Sequence, residues 1–215
     1  MQFALTTILG LAATMASATS ISVTPHDQYG SSIGVLGCKI DTNRVAYWPS
    51  FPSCEGMCVR VTNGDRSMTL LHIDQSGGAY DISYNAWNYL VTGYNATQDP
   101  TMGGGVDMDY EEVDMDECAD IITTEDGRLG FEAANSINFI ASCLTEPSSW
   151  VAQNYALFNI FNDVCTYGID EVCELDLNVS NQPSCPSMLG LTVPLTTCPV
   201  YNIAYGTGAV VQALA

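Results

Sequence analysis

Carboxylates are the side chains in this sequence best placed to do chemistry. Asp74 and Asp81 stand on either side of the Gly77-Gly78 turn. A carboxylic acid kept protonated can donate a proton to a leaving oxygen, and a second carboxylate nearby can raise its pKa and stabilise developing positive charge. The plainer alternative is structural. Asp74 can close the Asp-Gln-Ser-Gly-Gly turn through backbone amides, and Asp81 can bond the same turn or help cap a following helix. Other chemistries are poorly supplied. His26 and His72 are the only histidines, and with oxidised cysteines they make no zinc set. His72 lies in an apolar run and reads as a packed residue. Eight carboxylates lie between Asp107 and Asp120, without the glycine and spacing of a calcium loop, so a solvated strand face and turn is expected. No serine has a nucleophile-elbow motif around it. The reading therefore expects no metal and no cofactor.

The elements that must position these acids are mostly strands. Val59–Thr62 alternates apolar and polar residues, Met68–Ile73 is an apolar run, and Val106, Met108 and Tyr110 alternate with Asp107, Asp109 and Glu111. That period of two suits half-buried strands. Ser83 can cap a short helix that puts Ala86, Trp87 and Leu90 on one face. Tyr47 and Trp48 precede Pro49 and can either stack on sugar rings or pack in a core; Tyr80, beside Asp81, joins them as a substrate-binding candidate. Trp87 reads as core. After Cys118 the pattern turns helical, over Ala133–Leu144 and Ser149–Val164. Leu189–Val193 and Val200–Tyr205 are candidate strands.

The first segment is uncharged and apolar and ends in Ala16-Ser17-Ala18, a small-x-small cleavage site. It predicts a signal peptide over residues 1–18. All nine cysteines lie after it. Export with many cysteines implies disulfides, and the odd count leaves one thiol unpaired or shared between molecules. Asn95-Ala96-Thr97 and Asn178-Val179-Ser180 are candidate glycosylation sequons. With 24 acids against 5 bases the net charge is −19. That argues against nucleic acid and against an anionic membrane. Among polysaccharides it favours a neutral glycan over an acidic one.

Four ordered pieces then carry a family resemblance. Cys54-Glu-Gly-Met-Cys58 leads into Val59-Arg-Val-Thr-Asn63. Met68–Gly78 is a strand ending in Asp-Gln and a Gly-rich turn. Tyr80-Asp81-Ile82-Ser83 precedes Asn85-Ala86-Trp87, and Met108–Val113 ends at Cys118. Over residues 38–118 the chain resembles the double-psi β-barrel of barwin, expansins, RlpA-like proteins and family 45 endoglucanases, in a form that looks like a small fungal secreted protein. The resemblance implies a mainly β fold. A six-stranded double-psi barrel would occupy residues 19–118, with a helical, cysteine-rich region, 119–215, packed on it. It implies bridges Cys38–Cys54 and Cys58–Cys118, with Ser76 standing where the family's third bridge has a cysteine. The other five cysteines would then make two bridges and leave one over.

The resemblance also implies a sugar-binding groove faced by Asp74 and Asp81, with Asp81 at the position of the general acid. An inverting hydrolase needs a base on the opposite face. Asp27, in the first strand, is the candidate, but the family's adjacent cysteines are absent around it. The leading expectation is a secreted protein that binds or loosens cell-wall polysaccharide without efficient hydrolysis. The alternatives are an effector or elicitor recognised by a plant host protein or receptor, and a glycoside hydrolase or lytic transglycosylase using Asp81.

Overall fold

The period-two runs of the first half form a closed barrel in the computed structural model, which describes residues 18–214. The expected signal peptide, apart from Ala18, lies outside the described residues. The strands are β1 (Thr19–His26), β2 (Val45–Trp48), β3 (Cys58–Asn63), β4 (Arg66–Gln75), β5 (Tyr80–Ser83) and β6 (Val106–Glu112). They close in the order β1-β5-β2-β4-β3-β6. β1 with β5 and β2 with β4 run parallel, and the remaining pairs antiparallel. A parallel pair needs a crossover rather than a tight turn. Here β1 with β5 and β2 with β4 are the two pairs joined that way, and the expected mainly β, six-stranded barrel results.

Alternation sorts each strand into an inner and an outer face. Val23, Ala46, Trp48, Val59, Val61, Leu70, Ile82 and Met108 point inward and make one core with helix α1 (Tyr84–Thr92). Asp107 and Asp109 point out on either side of Met108, the solvated strand face the sequence suggested. Ala86, Trp87 and Leu90 are the buried face of α1, as expected. The Trp87 indole Nε1 donates to the Val23 carbonyl at 3.1 Å. Ser83 holds the N-cap position of α1 without capping it. Its hydroxyl donates instead to the Asn43 carbonyl. His72 is buried, its ring 5.2 Å from that of Trp48, and burial lowers its pKa.

The second half is more mixed than its periodicity suggested. β7 (Leu129–Glu132), β8 (Tyr155–Ile160) and β9 (Gly168–Cys173) form a three-stranded sheet. Helices α2 (Ile137–Leu144) and α3 (Trp150–Asn154) pack beside it, and β10 (Tyr201–Ile203) pairs with β11 (Val210–Gln212) in a hairpin. The helix expected over Ser149–Val164 therefore stops at Asn154. Tyr155–Ile160 is a strand lying between two others, almost wholly buried. A short, continuously apolar run fits a two-sided buried strand as well as a helix, and tertiary pairing decides. Val200–Tyr205 contains β10. Leu189–Val193 forms no strand; the nearest pairing is an isolated bridge between Tyr167 and Pro194.

The outer faces of β2 and β4 are not solvent-exposed. Val45, Tyr47, Leu71 and Ile73 join Phe131, Phe139, Ile140, Val151 and Leu157 in a second core shared by barrel and extension. The disulfides follow this packing. Cys58–Cys118 forms as the resemblance implied. Cys38–Cys54 does not: Cys38 bonds Cys165 and Cys54 bonds Cys143, so both tie the barrel to the extension. The extension brings cysteines within bonding distance of both, with Cα separations of 6.1 and 5.3 Å, inside the range a disulfide spans. The five C-terminal cysteines thus make one bridge among themselves, Cys173–Cys185, and Cys198 remains a free thiol.

Candidate functional site

Register places the two singled-out acids on one face of the barrel wall. Asp81 pairs with Thr24 on one side and Tyr47 on the other, and Tyr47 pairs in turn with Asp74. Residues opposite each other in a sheet share a face, so Thr24, Asp81 and Tyr47 form a row across three strands, and a register shift between Ala46 and Tyr47 brings Asp74 opposite Tyr47 on the fourth. Two strand spacings separate the Asp81 and Asp74 backbones, roughly 10 Å. Both carboxylates have bonding partners. Asp81 accepts from the Thr24 hydroxyl. Asp74 accepts the Ser32 amide at 2.8 Å, which pins the loop after β1 rather than the Gly-rich turn. Asp27 lies just beyond β1 and accepts the Tyr205 amide at 3.2 Å.

The aromatic candidates are placed differently from a sugar platform. Tyr47 and Trp48 are each 3% exposed. Trp48 points into the barrel, where Tyr110 lies edge-on at 4.5 Å and Tyr80 at 5.6 Å. Its indole N–H has no acceptor there. Trp48 is therefore a core residue, and the half-buried Tyr80 packs against it. Tyr47 has its hydroxyl 3.3 Å from the Gln28 carbonyl, to which it donates, and its ring 4.7 Å from that of His26. Neither Tyr47 nor Trp48 presents a free face for stacking. Alternation on β2 forces the result, because both faces of this strand are covered, one by the barrel interior and one by the extension.

Two carboxyls are pushed up by burial, and neither was singled out in the sequence. Glu132, at the end of β7, is raised from 4.5 to about 7. Asp163 is raised as well, chiefly by burial and against the pull of the Ser31 amide that it accepts at 2.8 Å. They lie under the loop that Asp74 holds. Burial also raises the Tyr29 and Tyr47 phenols, with the Asp74 and Asp163 charges adding to both.

A cleft with a different lining opens between the barrel and the C-terminal hairpin. Three adjoining cavities share Asn43 and Tyr201, one of about 20 Å³ against the barrel wall and two of about 290 and 270 Å³. Asn43 comes from the turn before β2, Asn85 from the first turn of α1, and Tyr201 and Asn202 from β10. His26, Asp27, Gln28 and Tyr47 complete the barrel side. Asn95 and Thr97 stand at the far end. Several hydrogen bonds hold the hairpin in place. Tyr29 N–H donates to Asn202 Oδ1 at 2.9 Å, and Tyr205 N–H to Asp27. The Tyr205 hydroxyl donates to the Gly103 carbonyl at 2.6 Å, and Gly206 N–H to the Tyr84 hydroxyl at 3.2 Å. Gly208 makes the closest approach. Its φ is +68°, and a Cβ there would meet the Ala96 carbonyl oxygen at 2.2 Å, so both conformation and space require glycine.

The cleft's chemistry is that of neutral polar groups. Asn85 Oδ1 is taken by the Ala96 amide and Asn202 Oδ1 by the Tyr29 amide. Both Nδ2 groups are left to donate outward. Asn43 is the converse: its Nδ2 donates to Asp41 at 3.1 Å, leaving its side-chain Oδ1 to accept. Tyr201 is 50% exposed beside them. Among the described residues no lysine or arginine lines the cleft, and its carboxylates are Asp27 and Asp41. Of the candidates drawn from the sequence, this cleft gathers Asp27, Tyr47 and Asn95. Asp74 and Asp81 are not in its lining, although Tyr47 adjoins both in the sheet. Asn43, Asn85, Tyr201 and Asn202 were not legible as a site, since asparagines scattered over 160 positions carry no spacing signal.

No family model matches this sequence, and no curated protein matches it. Among solved structures the chain is similar to cerato-platanin 3 from M. perniciosa, at 14% identity and a TM-score of 0.36. The alignment covers 46% of this chain and 98% of that one. It is also similar to the solution structure of the fungal elicitor cerato-platanin, at 21% identity and a TM-score of 0.35, over 46% of this chain and 96% of that one.

Proposed function

We propose that this is a secreted, barwin- or expansin-like barrel protein that binds a neutral cell-wall polysaccharide without hydrolysing it. The observation that carries the reading is the cleft around Asn43, Asn85, Asn202 and Tyr201. It combines unpaired amide donors and acceptors with an exposed aromatic ring and no cation. Sugars offer hydroxyls that both donate and accept, and C–H faces that pack on aromatic rings, so this lining complements them. Anionic ligands find no positive partner in it, and the net charge of −19 repels them further. Four disulfides, and no helix among the described residues long and apolar enough to cross a membrane, fit an exported protein.

Hydrolysis is the weaker reading on geometry. A glycosidase needs a carboxylic acid kept protonated beside the scissile bond and a second carboxylate across from it. The carboxyls that burial raises, Glu132 and Asp163, lie outside the cleft. Of the two carboxylates that line it, Asp27 is engaged by the Tyr205 amide and Asp41 by Asn43, and Asp81 is engaged by Thr24.

The experiment is a pull-down on insoluble neutral glycans (β-glucan, chitin, xylan), with a reducing-sugar assay on the same samples. Wild type should bind at least one of them and release no sugar. Tyr201→Ala should lose about tenfold in affinity, a change of about 1.4 kcal/mol. Binding by Tyr201→Ala equal to wild type would refute the cleft. Sugar release by wild type that Asp81→Asn abolishes would refute the non-hydrolytic reading.

A further inference from the structure

The two sequons sit in different surroundings. Asn178 is in an exposed loop, where its side chain donates to Asp176 Oδ1 at 3.1 Å, and it lines none of the cavities that form the cleft. Asn95 and Thr97 are both exposed, yet both line the roughly 270 Å³ end of the cleft, facing Asn85, Tyr201 and Val210. The backbone between them is fixed from two sides. Ala96 N–H donates to Asn85 Oδ1 at 2.9 Å, and the Ala96 carbonyl lies against Gly208 of the hairpin turn. Asn95 O in turn accepts the amides of Gln98 and Asp99 at 2.9 and 3.1 Å. The Asn95 side chain therefore projects from a rigid turn at the mouth of the cleft, with no protein partner of its own among the described residues.

We propose that the N-linked glycan carried by Asn95 folds back into the cleft and is its resident occupant. An N-glycan begins with neutral N-acetylhexosamine residues joined to the Asn95 amide. Their hydroxyl and acetamido groups would meet the outward Nδ2 of Asn85 and the side-chain Oδ1 of Asn43, and a ring face would meet Tyr201. The chain would thus hold, by covalent tether, a ligand of the class the cleft takes from outside. This rests on the neutral-glycan reading of the cleft and adds a regulation to it. Binding of external polysaccharide is restrained by the chain's own glycan and released when that glycan is trimmed. A ligand on a short flexible tether has an effective concentration near the millimolar range. Against a site of about 0.1–1 mM affinity for free sugar, such a tether lowers apparent binding by about two- to tenfold.

The test uses the full chain secreted from a eukaryotic host. Glycopeptide mass spectrometry should find hexosamine-based glycan at Asn95 in wild type and Thr97→Ser, and none in Asn95→Gln. An endoglycosidase applied to the native protein should remove glycan from Asn178 quickly and from Asn95 slowly. Heat and reduction, or Tyr201→Ala, should make the two sites equally susceptible. Asn95→Gln should bind insoluble glycan about two- to tenfold more tightly than wild type, with Asn178→Gln as the unchanged control. An unoccupied Asn95, or native release as fast at Asn95 as at Asn178, overturns the proposal while leaving the cleft reading intact. A protected Asn95 glycan in a protein whose Asn95→Gln form binds no external glycan overturns the regulatory part and the cell-wall function, and retains the glycan as a structural occupant.

Discussion

Glu132 offers the sharpest test of the physical argument, because its chemistry follows from packing alone. It is 7% exposed, its Oε2 accepts from Asn135 Nδ2 at 2.8 Å, and its backbone pairs with Gly34 across the loop that covers it. Burial pushes its carboxyl from 4.5 up to about 7, with the Asp163 charge adding to the rise. Between these two pH values the unfolded chain ionises Glu132 while the folded chain keeps it protonated. Stability is therefore full below pH 4.5 and falls as pH rises through about 7. The difference of about 2.5 between the two values, at 1.36 kcal/mol each, gives about 3 kcal/mol. Glu132→Gln keeps an acceptor for Asn135 and removes the titration. The variant should match wild type within about 0.5 kcal/mol at pH 4.5 and exceed it by up to about 3 kcal/mol at pH 8, a rise in Tm of about 6–12 °C for a chain of this size. The assay is denaturant unfolding of the oxidised protein at pH 4.5, 6 and 8. His72 works in the opposite sense, since burial lowers its pKa and folding is weakened as pH drops below 6.5. It is common to both proteins and cancels in the difference. A wild-type-to-variant gap that stays flat from pH 4.5 to 8, or that favours wild type at pH 8, would refute the reasoning.

Three further outcomes follow from the fold. Replacing Cys38 and Cys165 by serine opens a bridge between residues 127 apart; with Cys54–Cys143 intact inside it the loop it closes is only about 40 residues, and chain entropy assigns it about 4 kcal/mol, against about 3 kcal/mol for Cys173–Cys185 with its separation of 12. Urea midpoints of the two double variants should rank in that order, and the reverse order would show that loop closure does not govern them. Gly208→Ala should detach the hairpin from Ala96, raising amide hydrogen exchange over residues 201–212 at least tenfold while the barrel strands keep their protection; unchanged exchange would show the contact to be dispensable. Trp87→Ala removes the largest fully buried side chain and should cost about 3–5 kcal/mol in unfolding free energy, and a loss under 1 kcal/mol would argue that α1 does not close the barrel core.

Much of the barrel was legible in the sequence because its information is local. Alternation in Val59–Thr62 and Val106–Glu111 forces one face in and one out, whatever the neighbours. The same holds for α1, whose buried face could be read from the spacing of Ala86, Trp87 and Leu90. Cys58–Cys118 was readable through resemblance, since both ends belong to the barrel. Charge and cysteine content likewise needed no fold.

The rest was decided by contacts between distant segments. Tyr155–Ile160 reads equally as helix or strand until β7 and β9 flank it. Cys38 and Cys54 have barrel partners by analogy, and the extension gives them Cys165 and Cys143 instead. Trp48 and Tyr47 read equally as a platform or as core until both sides of β2 are covered. Asp74 and Asp81 could be picked out as a pair, but that each is held, one by Ser32 and one by Thr24, depends on which loop and which strand lie beside it. The cleft is the extreme case: Asn43, Asn85 and Tyr201 meet only because the hairpin returns across the barrel after 160 residues of chain. Amide side chains have no periodicity to betray them, and their value lies in which hydrogen-bonding atoms the surrounding backbone leaves unpaired.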